Sequence, residues 1–177
     1  FDATGTALGS TIPTADRVRL YPDAPTERAD IHDLNDLIYT TINNGPKGRV
    51  FVDQGIYRAA FDAYFDTLTQ LDDLLSDGRA FLTGANFTEA DLRLFPTLYR
   101  HDPVYYVRTK LNGARILEYP HIWRWMCRVY ALPGVADAGS LVHCRQGYFG
   151  RSWNGVFPTG PFKSMEYPEA YEHPNLA

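Results

Sequence analysis

Apolar residues recur at spacings of three and four along most of this chain. Nowhere do they alternate with polar ones over a useful length, which predicts helices and no strands. The first helix is expected to begin near Thr26, with Glu27 and Asp30 in its first turn, where they complement the helix dipole. Ile31, Leu34, Ile38 and Thr41 form its inward stripe, widened by Leu37 and Ile42. Asn43-Asn44-Gly45-Pro46 is a strong stop. A second helix is expected from about Asp53 to Ser76, with Tyr57, Phe61, Tyr64, Leu68, Leu71 and Leu75 on one face. Asp62, Asp66, Asp72 and Asp73 fall mostly off that face, and Asp77-Gly78 closes the helix.

The next element carries its own start signal. Thr88 is a good N-cap, and Asp91, three residues on, can reach back to the Thr88 N–H as in a capping box. Phe87 and Leu92 occupy the positions of a hydrophobic staple. These assignments make Thr88 and Asp91 structural residues, each worth about 1 kcal/mol against alanine. The helix runs to about Arg100 and should kink at Pro96, whose missing N–H removes a ladder bond. Another helical stretch is expected near residues 105–117. Tyr119-Pro120 then opens a helix through Ala131, with Ile122, Trp125, Met126 and Val129 inward and Leu132-Pro133-Gly134-Val135 as its stop. A last helix is expected near 135–149. The whole reads as an all-α domain at 26–150, after a linker-like segment at 1–25 and before an irregular tail at 151–177 rich in Gly, Pro and aromatic residues.

Composition narrows the function. With 177 residues, 45% of them hydrophobic and 21% charged, one globular domain is expected. The net charge of −4 gives no reason to expect nucleic acid or an anionic membrane as partner. No apolar run reaches the roughly 18 residues that cross a bilayer, and a cytoplasmic setting is expected. Phe1 is not a natural start, so a chain trimmed at its N-terminus is expected. Cys127 and Cys144 form neither a disulfide framework nor a metal site. Cys127 sits in an apolar run and reads as core. Cys144 follows His143, but neighbours on a helix point apart, so no nucleophilic pair is expected. His101 and His143 read as structural histidines. Aromatics make up 14% of the chain and 12 of them are tyrosines, which suits either a core of large rings or a cleft lined with phenols.

Several segments together resemble a known family. They are Ile38-Tyr39-Thr40-Thr41-Ile42-Asn43-Asn44-Gly45, Thr88-Glu89-Ala90-Asp91-Leu92-Arg93-Leu94-Phe95 and Arg100-His101-Asp102-Pro103-Val104-Tyr105. Pro96, Pro120, Leu132-Pro133-Gly134-Val135 and the run from His143 to Tyr148-Phe149 complete the set. Over about residues 20–161 the chain resembles the C-terminal helical domain of a glutathione transferase, more closely its xi class, the glutathionyl-hydroquinone reductases. The resemblance implies a two-part enzyme. An N-terminal thioredoxin-like domain binds glutathione, the co-substrate, and carries a catalytic cysteine in a Cys-Pro-Trp motif. That cysteine takes glutathione from a glutathionyl-hydroquinone as a mixed disulfide, and a second glutathione releases it. The chemistry needs a low-pKa thiolate. This chain holds no Cys-Pro-Trp and no alternating strand pattern, so alone it is expected to be inactive.

The resemblance also implies site residues. Tyr148 stands where the family has an active-site tyrosine that hydrogen-bonds the substrate, and Lys47 and Tyr106 are expected to contact it. Small aromatic glutathione conjugates are the expected partners, a homodimer is the expected assembly, and no metal is expected. Two runs are shorter than the family's, at Pro46-Lys47 and at Ser152-Trp153. If residues are missing from the chain there, the flanking Cα atoms should lie much further apart than the usual 3.8 Å or so. The rival readings are a non-catalytic transferase-like interaction module and a transferase that conjugates glutathione to electrophiles.

Overall fold

Pro25 opens the first helix, because proline at the first helical position forfeits an N–H that has no partner there anyway. A computed structural model of the protein describes residues 19–45, 53–150 and 155–158. Helix α1 spans Pro25–Leu37, with Glu27 in its first turn. The buried stripe is Ile31, Asn35, Ile38 and Ile42, so a polar residue takes a place where Leu34 had been expected to lead. From Ile38 to Asn43 the helix widens into a π turn. The Thr40 and Thr41 hydroxyls donate to the carbonyls of Asp36 and Leu37 there, a competition with the backbone that loosens a helix. The wider turn delivers Asn43 to the next layer, where it does more than stop a helix. Its amide donates to Arg93 O (3.2 Å) and accepts from the Thr97 hydroxyl (2.7 Å).

Helix α2 spans Gln54–Leu75 and is capped by Asp53, whose carboxylate accepts from Ile56 N–H at 2.9 Å. Tyr64, Thr67, Leu68, Leu71 and Leu75 are its buried residues. Helix α3, Glu89–Tyr99, is buried on most sides: Ala90, Asp91, Leu94 and Leu98 are at most 1% exposed. The helical run passes through Pro96 and ends at Arg100. The expected staple is absent in the form anticipated. Leu92 is 41% exposed, and Phe87 meets Phe81 edge to face instead, at 5.6 Å. The loop before α3 folds back on itself through an isolated bridge between Phe81 and Gly84, and no longer β pairing occurs among the described residues.

The continuous helix expected near 105–117 is not formed. A π turn at His101–Tyr105 leads into a three-residue helix α4, Tyr106–Arg108. Lys110 then takes a left-handed conformation (φ 55°), and Leu111 N–H returns to Tyr105 O, a closure that ends the helix. Gly113 follows where side chains could not: a Cβ there would lie 2.7 Å from Phe61 Cζ and 2.9 Å from Phe65 Cε2. After a short 3₁₀ turn at Ile116–Glu118 comes α5, Pro120–Tyr130, again opened by proline. Ile122, Trp125, Met126 and Val129 are buried as the spacing predicts, and Trp123, Cys127 and Tyr130 join them.

The end of α5 follows the Leu132-Pro133-Gly134 signal, with Gly134 at φ 80°. The single helix expected near 135–149 is three pieces. Helix α6 covers Val135–Ala138, α7 covers Leu141–Arg145, and a π turn covers Gln146–Gly150. The break is local chemistry: Gly139 stops one helix, and extended Ser140 caps the next by accepting from His143 N–H. The described helices thus build the expected all-α class. Lys47, the Pro46-Lys47 and Ser152-Trp153 junctions, and most of the expected tail lie outside the described residues. Of the helices described, none is long and apolar enough to cross a membrane.

Candidate functional site

Two π turns, His101–Tyr105 and Gln146–Gly150, each carry one tyrosine of a phenol pair. Such turns recur at functional sites because the extra residue re-aims the side chains around it. The Tyr105 and Tyr148 hydroxyls lie 3.2 Å apart, and their rings meet edge on at 5.7 Å. Tyr105 is 3% exposed, while Tyr148 is half-buried. Arg100, the residue that closes α3, interacts electrostatically with Tyr105 and with Cys144 of α7. Burial works against the Arg100 charge, but Cys144 and Tyr105 more than offset it. Burial, and then the bond to Tyr148, push the Tyr105 phenol up to about 12, with Arg100 pulling the other way. At neutral pH both Tyr105 and Arg100 therefore keep their protons.

A second cluster is buried around His101. His101 accepts from the Tyr64 hydroxyl at Nδ1 (2.7 Å) and donates from Nε2 to Ala114 O (3.1 Å), the arrangement a neutral imidazole permits. Burial holds its imidazole down at about 4. Asp102 accepts from Ile116 N–H at 3.0 Å, and burial raises its carboxyl to about 6. These contacts fit the structural role expected of His101. His143 is exposed on α7, with its backbone N–H held by Ser140.

Tyr106, the other expected contact within the described residues, has its ring edge on to His101 at 6.4 Å and under the Arg115 guanidinium at 5.2 Å. Successive helical residues point about 100° apart, so the neighbour of Tyr106 is the residue that meets Tyr148. The Arg100-His101-Asp102-Pro103-Val104-Tyr105 segment is among those that carry the resemblance, but neither Arg100 nor Tyr105 is among the site residues it implies. Cys127 is buried, its thiol pushed up to about 12 by burial, and both Cys127 and Cys144 are free thiols. Among the described residues no group of three or more His, Cys, Asp or Glu could hold a metal ion. A cavity of about 670 Å³ opens elsewhere, between the start of α1 and the loop at 83–88. It is lined by Asp23, Glu27, Asp30 and Arg19 among others, with Asp23 already paired to Arg19 and Arg28, and it holds no phenol or thiol.

Asp91 occupies a contrasting position. Fully buried, it accepts from Thr88 N–H (2.9 Å) and the Thr88 hydroxyl (3.1 Å) at Oδ2, and from Leu82 N–H (2.9 Å) and Trp125 Nε1–H (2.8 Å) at Oδ1. Both halves of the capping box are present, and the firmer is the reciprocal one into Asp91. With both oxygens engaged, this carboxylate is framework.

The family described as the C-terminal domain of glutathione S-transferase matches residues 54–128. Glutathionyl-hydroquinone reductase YqjG of Escherichia coli is 34% identical over 174 residues, which is 95% of this chain and 49% of YqjG. Its glutathione-bound structure superposes with a TM-score of 0.76 over 84% of this chain and 49% of that one. Glutathionyl-hydroquinone reductase PcpF of Sphingobium chlorophenolicum is 38% identical over 143 residues, covering 78% of this chain and 45% of PcpF. The xi glutathione transferase of Phanerochaete chrysosporium matches with a TM-score of 0.73 at 35% identity, over 82% of this chain and 48% of that one. The chain belongs to the glutathione transferase family and carries the C-terminal helical domain of its xi class. It spans about half the length of the curated relatives it matches.

Proposed function

We propose that this chain supplies the helical, substrate-facing half of a glutathionyl-hydroquinone reductase. The observation that carries the reading is the Tyr105–Tyr148 pair, a phenol couple with one buried and one half-exposed member, set at the edge of the helical domain. In the reaction, a cysteine thiolate outside this chain attacks the glutathionyl sulfur. The ring carbon leaves with the electron pair of the broken C–S bond and takes a proton, and a mixed disulfide forms between cysteine and glutathione. A second glutathione reduces that disulfide and departs as oxidised glutathione. Tyr148 donates a hydrogen bond to a ring oxygen, where preorganised donors stabilise developing negative charge.

Lys47 and Tyr106 are carried as further contacts to the aromatic conjugate. Glutathione itself is held mainly by the thiol-bearing half. A homodimer, which rests on the resemblance, and a cytoplasmic setting complete the reading.

The test is to assay glutathione-dependent reduction of a glutathionyl-naphthohydroquinone by the 177-residue chain and by the product of the same coding sequence extended upstream of Phe1. The extended protein is expected to turn over and the isolated chain is not. In the extended protein Tyr148→Phe should lower kcat/KM on the order of 10–1000-fold. Turnover by the isolated chain, or an unchanged kcat/KM in the variant, would overturn the reading.

A further inference from the structure

The turn that carries Tyr148 has little of its own to hold its shape. Gln146–Gly150 is a single π turn, a rare form. Gly147 and Gly150 weaken it further, because glycine gives up the most backbone freedom of any residue on folding. Gln146, Gly147 and Gly150 are exposed and Tyr148 is half-buried, so within the turn only Phe149 is enclosed by the core.

The anchors of the turn come from outside it. Tyr105 meets Tyr148, ring edge on at 5.7 Å and hydroxyl to hydroxyl at 3.2 Å. Residues 155–158 supply a second set. The Phe157 ring packs against Phe149 with 6.2 Å between centroids, and its Cζ comes within 3.4 Å of where a Cβ on Gly150 would stand. Arg145, the last residue of α7, ties that segment down. Its Nη2 donates to Pro158 O at 2.8 Å, and its guanidinium stands over the Phe157 ring, 6.0 Å from the centroid. A planar guanidinium suits this double contact, since its edge donates while its face stacks. The bond to Pro158 O has a charged donor and is partly buried, so it is stronger than a neutral bond at the surface.

We propose, on the reading of Tyr148 as a substrate donor, that Arg145 is a positioning residue: by holding residues 155–158 against the π turn it fixes where the Tyr148 phenol stands. Arg145 precedes Tyr148 by three residues and acts on it through Phe157 and Phe149. A donor stabilises developing charge only at hydrogen-bond distance from the oxygen that bears it, and a misplacement of about 1 Å can cost on the order of 100-fold in rate. Phe157 is 39% exposed, so these contacts lie at the edge of the domain. Their loss loosens the turn and leaves the core helices as they are.

The test uses the protein extended upstream of Phe1 and the glutathionyl-naphthohydroquinone assay. Arg145→Met should lower kcat on the order of tenfold with KM little changed, because the placed phenol matters most in the transition state. Arg145→Lys should recover part of the loss, since an ammonium can still donate to Pro158 O but cannot stack in the same way. Phe157→Ala, which removes the ring that Arg145 and Phe149 both meet, should give a loss of the same kind if Arg145→Met does not fold. In a Tyr148→Phe background, Arg145→Met should cost less than about twofold, because no hydroxyl is left to place. A readout without substrate follows the turn itself. Amide hydrogen exchange over residues 146–150 should quicken on the order of tenfold in Arg145→Met, with α3 and α5 unchanged. Unmoved exchange in the turn, or quickened exchange with kcat intact, would overturn the role of Arg145 and leave the Tyr148 reading standing. So would an equal loss with and without the Tyr148 hydroxyl. If Tyr148→Phe alone changes nothing, the Tyr148 reading fails and the positioning role falls with it.

Discussion

Asp91 and Tyr148 are both polar groups held inside or at the edge of a packed helical domain, and they do opposite work. Asp91 draws its donors from the loop before α3, from its own N-cap and from α5, and both its oxygens are engaged. A buried carboxylate so surrounded binds elements to one another and has nothing to offer a ligand. Tyr148 has one described partner, Tyr105, and remains half-exposed. Burial of a polar group costs several kcal/mol unless it is bonded, so a saturated group marks framework and an unsaturated one at the surface marks a place for chemistry.

The largest break in that comparison should come from Asp91→Ala. It strands three N–H donors, on Leu82, Thr88 and Trp125, in the interior. Each stranded donor costs about 1–3 kcal/mol, so urea unfolding should show a loss of at least about 3 kcal/mol. This exceeds the roughly 1 kcal/mol expected of a simple cap, because the cap is only part of what Asp91 does. A loss near 1 kcal/mol would show that the Leu82 and Trp125 bonds contribute little.

The next effect concerns the buried pair beside Tyr105. Between pH 6.5 and about 4 the unfolded chain protonates His101 and the folded one does not, so stability falls as pH falls through that window. Asp102 runs the other way. Folded, it holds a proton up to about pH 6, while unfolded it does so only to 3.8, so its share of stability rises as pH falls. The two slopes nearly cancel. Asp102→Asn keeps an acceptor for Ile116 N–H and removes the compensation. The variant should lose on the order of 3 kcal/mol relative to wild type between pH 6.5 and 4. Parallel pH–stability curves for the two proteins would refute the assignment.

Thr88→Ala should cost about 1–2 kcal/mol, since it removes a buried hydroxyl bonded to Asp91 while leaving the carboxylate's other partners in place. A loss as large as that of Asp91→Ala would mean the box acts as one unit. Smallest should be Tyr148→Phe, which sharpens the contrast. Loss of a single hydroxyl contact at a half-buried site should change stability by less than about 0.5 kcal/mol. A thermal shift as large as that of Thr88→Ala would mark Tyr148 as framework too.

The parts legible in the chain's order of residues are those whose signals lie within a few positions of one another. The starts of α2 and α3 at Asp53 and Thr88, the proline at the head of α5 and the stop at Gly134 all follow from local bonds and dihedrals. Even the break at Gly139-Ser140 was locally written, although the apolar spacing across it obscured the signal. Tertiary structure decided the rest, because it chooses between groups that are chemically equal in sequence. Four aspartates lie along α2, and one of them, Asp72, accepts from His121 and Ile122 N–H and so caps α5 from 49 and 50 residues away. Tyr105 and Tyr106 are adjacent and identical in type, yet only packing puts Tyr105 against Tyr148, 43 residues on. A local bond is legible because its donor and acceptor are joined by a few known dihedrals. A distant one depends on the sum of all the packing between them, which no short stretch of sequence contains.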